Sequence, residues 1–142
     1  EELQMFRATN EICRAFDAKG IKYTTDESEK NSRVISQWGV KHGTDYRIQY
    51  ISNDDDSDVS IRVFTLLHIE DDKIAPIVVA LNKLNCTYRY VKFVLDDDCD
   101  VNVEFDLPLH TDNIGEICVE MTSRFVNIID DAYPVLMKAL WS

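Results

Sequence analysis

Across residues 34–67 apolar and polar side chains alternate with a period of two, and no other feature of the chain restricts its fold so strongly. Val34, Ser36, Trp38 and Val40 fall on one face of a first run. After the turn His42-Gly43-Thr44-Asp45, a second run alternates Tyr46, Ile48 and Tyr50 with Arg47 and Gln49. Residues 53–58 have turn composition. Val59, Ile61, Val63, Thr65 and Leu67 then form a third run, with Phe64 and Leu66 on its other side. A shorter strand at Ile21 and Tyr23 precedes them and fades into the polar residues 24–32. Strands in succession, joined by tight turns and carrying one polar face, predict an antiparallel meander.

Helical spacing brackets this meander. Leu3, Phe6, Ile12, Cys13 and Phe16 mark a first stripe, ended by Gly20 at a C-terminal cap position. Ile74, Ile77, Val78, Leu81 and Leu84 mark a second, with Asp71 or Asp72 as its cap and Pro76 tolerable only near its start. Residues 88–95 and 101–107 read as a hairpin around the Asp-rich residues 96–100, ended by Pro108. A long third helix follows, with Asp112 as N-cap and a kink or break expected just before Pro134. The element order is therefore α-β-β-β-β-α-β-β-α, an α+β fold. Its helices are expected mainly on one face of a twisted antiparallel sheet. We read residues 1–142 as one domain, long enough to bury roughly two-thirds of its extended-chain surface.

The last helix carries two adjacent apolar rows. Ile114, Cys118, Met121, Phe125, Ile128, Ala132, Val135 and Ala139 make one; Val119, Val126, Ile129, Tyr133, Leu136 and Leu140 make the other. A helix lying on one sheet needs roughly a 100° stripe, and this face is wider. Either other parts of the chain bury both rows, or a second polypeptide meets Val126, Ile129, Tyr133, Leu136 and Leu140. Trp38, Tyr46 and Tyr50 are a second set of aromatic contact candidates, and equally good core residues.

Composition removes several functions. With 26 acidic and 15 basic residues the net charge is -11, which repels nucleic acid and anionic membranes alike. No apolar run approaches the ~20 residues needed to cross a bilayer, and no signal-peptide pattern is visible. Cys13, Cys86, Cys99 and Cys118 show no zinc spacing and read as free thiols of a reducing compartment, the cytoplasm. Asp54, Asp56 and Asp58, like Asp96, Asp98 and Asp100, have the one-three-five spacing of a calcium loop. Both loops lack the Gly at position six and the Glu at twelve, so they read as solvated turns. His42, His68 and His110 are scattered, and no nucleophile, base and orienting acid stand together. The four glycines are isolated, which leaves no phosphate-binding loop. No cofactor or metal is expected.

Residues 81–109, LNKLNCTYRYVKFVLDDDCDVNVEFDLPL, carry the most specific signal. A helix ends in Leu-Asn, a strand contains Lys92-Phe93, an Asp-rich turn follows, and a second strand ends Asp106-Leu107-Pro108-Leu109. This stretch resembles the YbjN-like family of small bacterial proteins, which share the fold of type III secretion chaperones. The Tyr133-Pro134 step is similar as well. The resemblance implies no catalytic residue and no cofactor, a tendency to self-associate, and a regulatory or chaperone-like role. Cys99 departs from it, standing where a turn-forming Gly is expected. The reading is a non-catalytic protein-binding module, with a protein or peptide partner or a second copy of itself. Rival readings are a cation-responsive regulator using the Asp turns and an enzyme of unrecognised type.

Overall fold

A computed structural model describes residues 6–28, 30–41, 43–53, 58–108 and 110–142. The order is α1 (Arg7–Lys19), β1 (Thr24–Glu27), β2 (Ser32–Gly39), β3 (Asp45–Ser52), β4 (Val59–His68), a short 3-10 turn (Asp71–Lys73), α2 (Ile74–Thr87), β5 (Lys92–Leu95), β6 (Asp100–Leu107) and α3 (Ile114–Trp141). The strands form one six-stranded antiparallel sheet in the order β1-β2-β3-β4-β6-β5. This is the α+β fold and the element order that the alternation and the helical stripes predict.

The inward sheet face carries Val34, Ile48, Tyr50, Ile61, Val63, Phe93, Val101 and Val103, all buried. Ile12 and Phe16 of α1 and Met121, Phe125 and Ile129 of α3 join them in one core. The outward face is polar and cross-linked. Arg33 donates to the Gln49 side chain, and Arg62 pairs with Glu104 at 3.5 Å and Asp106 at 2.7 Å. Helices on one side and paired charges on the other follow directly from period-two strands.

Several local expectations change. The first strand is not at Ile21 and Tyr23, because Ile21 belongs to the end of α1. Gly20 adopts φ 71°, its N–H bonds the Asp17 carbonyl and the Ile21 N–H bonds Phe16, which together make a Schellman cap. The strand then starts at Thr24. In β4 a register shift lies between Val63 and Leu67, with Thr65 at φ 51°. That bulge reverses the phase, so Leu66 is buried where Thr65 and Leu67 were expected to point inward. Residues 88–90 bend, with Tyr90 at φ 69°, and β5 starts only at Lys92.

Helix starts differ too. Neither Asp71 nor Asp72 caps α2; Lys73 stands at its N-cap position and makes no side-chain cap bond. Asn113, with φ 58°, replaces Asp112 at the start of α3 and makes no cap bond either. The break at Pro134 does not occur: α3 runs unbroken for 28 residues. Its flanks at Ile128, Ile129, Ala132 and Leu136 are all buried, and packing of this kind outweighs one lost backbone bond. Leu3 lies outside the described residues.

Candidate protein-binding surface

Helix α3, roughly 42 Å long at 1.5 Å per residue, is the axis against which the other two helices lie. Its first half meets α1 closely. A Cβ on Gly115 would stand 2.5 Å from the Glu11 carbonyl oxygen and 2.8 Å from the Ala15 Cβ, so only glycine permits this approach. A shallow groove of about 530 Å³ follows the seam, floored by Ala15, Ala18 and Val119, with Arg14 and Lys19 on one rim and Glu116 and Glu120 on the other. It runs on into a hollow of about 290 Å³ beside Trp38, Thr122 and Val126. The second half meets α2 in the opposite sense. Lys73 at the start of α2 donates to the Ser142 carbonyl beyond the end of α3, at 2.8 Å. Beyond the other end of α2, the Arg124 guanidinium lies 5.2 Å from the Tyr90 ring centre.

This arrangement decides where the apolar surplus of α3 goes. Of the five residues offered as partner contacts, Ile129 and Leu136 are completely enclosed within the chain. They are core residues, because α1, α2 and the sheet surround α3 on more sides than a single sheet would. Val126, Tyr133 and Leu140 are half-buried against that core. Tyr133 also lies over the β2–β3 connection, where a Cβ on Gly43 would stand 2.8 Å from its ring. Tyr46 and Tyr50 are buried and Trp38 is half-buried, so that trio too is mainly core.

Exposed apolar side chains gather elsewhere. Helix α2 turns Ile77, Ala80, Leu81 and Leu84 inward and leaves Val78 48% and Val79 58% exposed. Val78 was expected inside; Ala80 is there instead. Ala75 extends the exposed face toward the start of the helix. At the end of α3, Val135 is 40% and Trp141 84% exposed. The signal was present in the run Ile74-Ala75-Pro76-Ile77-Val78-Val79-Ala80-Leu81, which is apolar at every angle around the helix.

A scan against protein-family models matches residues 9–136 to YbjN, described as "Putative bacterial sensory transduction regulator". The chain belongs to the YbjN family. No curated protein matches it. The stretch that carries the resemblance, residues 81–109, is the end of α2, β5, the Asp turn and β6. No helix among the described residues of this YbjN chain is long and apolar enough to cross a membrane.

Two networks tie polar groups of this YbjN chain to one another. In the β5–β6 turn, one Asp96 oxygen accepts the N–H groups of Asp98 and Asp100, and the other accepts the Asn102 amide. Those donors hold the Asp96 carboxyl below its ordinary range. Asp100 accepts from Thr65 and lies 2.8 Å from the His68 Nδ1. Cys99 takes φ 63°, so the cysteine adopts the left-handed conformation for which a Gly was expected. Among the described residues no three His, Cys, Asp or Glu side chains stand together as metal ligands. Asp54 and Asp56 of the other Asp cluster lie outside the described residues.

A second network crosses the core. The Trp38 Nε1–H donates to Ser36 at 2.8 Å, Ser36 bonds the Tyr50 hydroxyl, and Tyr50 bonds Thr122. Thr122 donates to the Cys118 carbonyl, which makes Tyr50 the donor to Thr122 and Ser36 the donor to Tyr50. Burial pushes the Cys118 thiol up to about 12 and raises that of Cys13, so both are inert thiols at neutral pH.

Proposed function

We propose that this YbjN-family chain is a non-catalytic, protein-binding regulator with a chaperone-like or regulatory role, and that it self-associates through the outer face of α2. The observation that carries the reading is the exposure of Val78 and Val79 on a helix whose first eight residues, 74–81, are apolar all round. Helical segments of that kind belong between two packing partners, and the described residues cover only one side. The family description as a regulator agrees with a binding role.

A second copy is the occupant that the charges of α2 favour. If two α2 helices pair antiparallel about a two-fold axis at Val78 and Val79, the acidic Asp71–Asp72 end of each approaches the Lys83 end of the other. Such an isologous contact satisfies both copies at once. Trp141, next to the Ser142 that Lys73 bonds at the start of α2, adds exposed apolar area at that end of the helix. The cation-responsive alternative gains nothing from the β5–β6 turn, since both Asp96 oxygens already accept N–H donors.

Solution mass across a dilution series tests the proposal, with a Val78→Lys, Val79→Lys double variant beside the natural chain. The natural chain is expected to be a dimer that dissociates on dilution, and the variant a folded monomer with the same far-UV circular dichroism. A natural chain that stays monomeric at every concentration removes self-association from the reading.

A further inference from the structure

The Asp turn explains one part of the stretch 81–109; the Leu-Asn that ends the helix and the Lys-Phe in the strand need another account. In the antiparallel register of β5 and β6, Phe93 stands opposite Val103. Its backbone N–H and C=O both bond the Asn85 side chain: Oδ1 accepts the N–H at 2.7 Å, and Nδ2 donates to the C=O at 2.9 Å. Both groups of a strand residue point to the same side, so these two face away from β6 along the free edge of the sheet. The Asn85 amide thus copies, with one donor and one acceptor, what a residue of a seventh strand would present. The contact is reciprocal. Lys92 sends its ammonium back to the carbonyls of Asn85 and Tyr88, both at 2.9 Å, where it meets the negative end of α2.

We infer that Asn85 and Lys92 form a reciprocal staple that closes the β5 edge, and that releasing it opens β5 to strand pairing with a second copy of the chain. A free edge is a template for such pairing, and proteins block it with charge, short length or a covering element. The opposite edge, β1, is four residues long and ends in Asp26-Glu27. Strand β5 is equally short, but its sequence is Lys-Phe-Val-Leu, with Val94 exposed on the outward face. Composition guards the first edge; the second needs the staple. This device is separate from the α2 face proposed above, since it involves the sheet edge and not the helix exterior.

Hydrogen exchange and light scattering on Asn85→Leu and Asn85→Asp test the inference. The Leu variant removes donor and acceptor at similar volume. Its Phe93 amide is expected to exchange at least ~10-fold faster than in the natural chain while the Val101 and Val103 amides keep their protection. It should also form β-rich assemblies that grow with concentration. The Asp variant keeps the acceptor, so its Phe93 amide stays protected and it assembles less. If the Leu variant unfolds as a whole, the Asp variant decides, and loss of Phe93 protection there defeats the inference. Unchanged Phe93 exchange in the Leu variant defeats it as well. Adding Val79→Lys separates the two surfaces: assembly through β5 persists, whereas assembly that disappears runs through α2 and refutes the edge assignment.

Discussion

Helices α2 and α3 are both built mainly from apolar residues, yet they stand in opposite relation to the core. Helix α3 has α1 along its first half, α2 along its second and the sheet beneath, so even its second apolar row supplies the buried Ile129 and Leu136. Helix α2 lies at the side of this arrangement, against α3 and the β5 edge, and among the described residues its outer face leaves Val78 and Val79 about half exposed. An over-wide apolar face therefore says only that a helix needs several neighbours. Its position in the topology decides whether the chain itself provides them.

The sharpest separation between the two helices should come from their thiols. Cys118 is fully buried on α3, and Cys86 is exposed on α2. A maleimide reaches Cys118 only when the fold opens, and a domain stability of about 5–15 kcal/mol slows that by at least ~10³-fold. Cys86 should label without unfolding, in a mass spectrum taken early in the reaction. Equal rates at the two sites would mean that α3 is not enclosed.

Next in size is truncation of the enclosed row. Leu136→Ala leaves a cavity between α3 and its neighbours and is expected to lower the unfolding free energy by about 2–5 kcal/mol in a urea titration. A loss below about 0.5 kcal/mol, the range of surface substitutions, would return Leu136 to the candidate contacts. Gly115→Ala tests the α1–α3 seam. The added methyl meets backbone at Glu11, which cannot rotate away, so overpacking should cost about 1–3 kcal/mol. Shortening its other neighbour with Ala15→Gly should recover only part of the loss, because the carbonyl contact remains.

The contrast also shows what a sequence of this kind reveals. Period-two runs placed β2, β3 and β6 well, since each has one face on the core and register permits no slip. Gly20 announced the end of α1, and the Asp residues before Cys99 announced a turn. The bulge at Thr65 was invisible, because Thr suits a regular strand and the cause is the distant Asn102 side chain, whose Oδ1 accepts the Thr65 N–H. The enclosure of Ile129 and Leu136 depends on where α1 and α2 dock, which no local pattern encodes. The exposed α2 face was half legible: the all-round apolar run was there, but the assumption of a single inward stripe assigned Val78 to the core. Asn85 was legible only as part of the stretch 81–109; its bond to Phe93 was not, since Asn near the end of a helix is ordinary and its partner is a strand eight residues away.

The smallest expected effect on the monomer is at Val79, and its smallness is the test. At 58% exposure the side chain has little to lose in an isolated chain, so Val79→Ser should change unfolding free energy by no more than about 0.5 kcal/mol under dissociating dilution. At high concentration the outcome differs. A dimer binds the folded form alone and raises its melting temperature by mass action, so the natural chain should melt higher as concentration rises. The Ser variant removes apolar area from the centre of the proposed contact and should melt at nearly one temperature throughout. A variant already destabilised by a kcal/mol or more when dilute would place Val79 inside the folded monomer, and the difference between α2 and α3 would vanish.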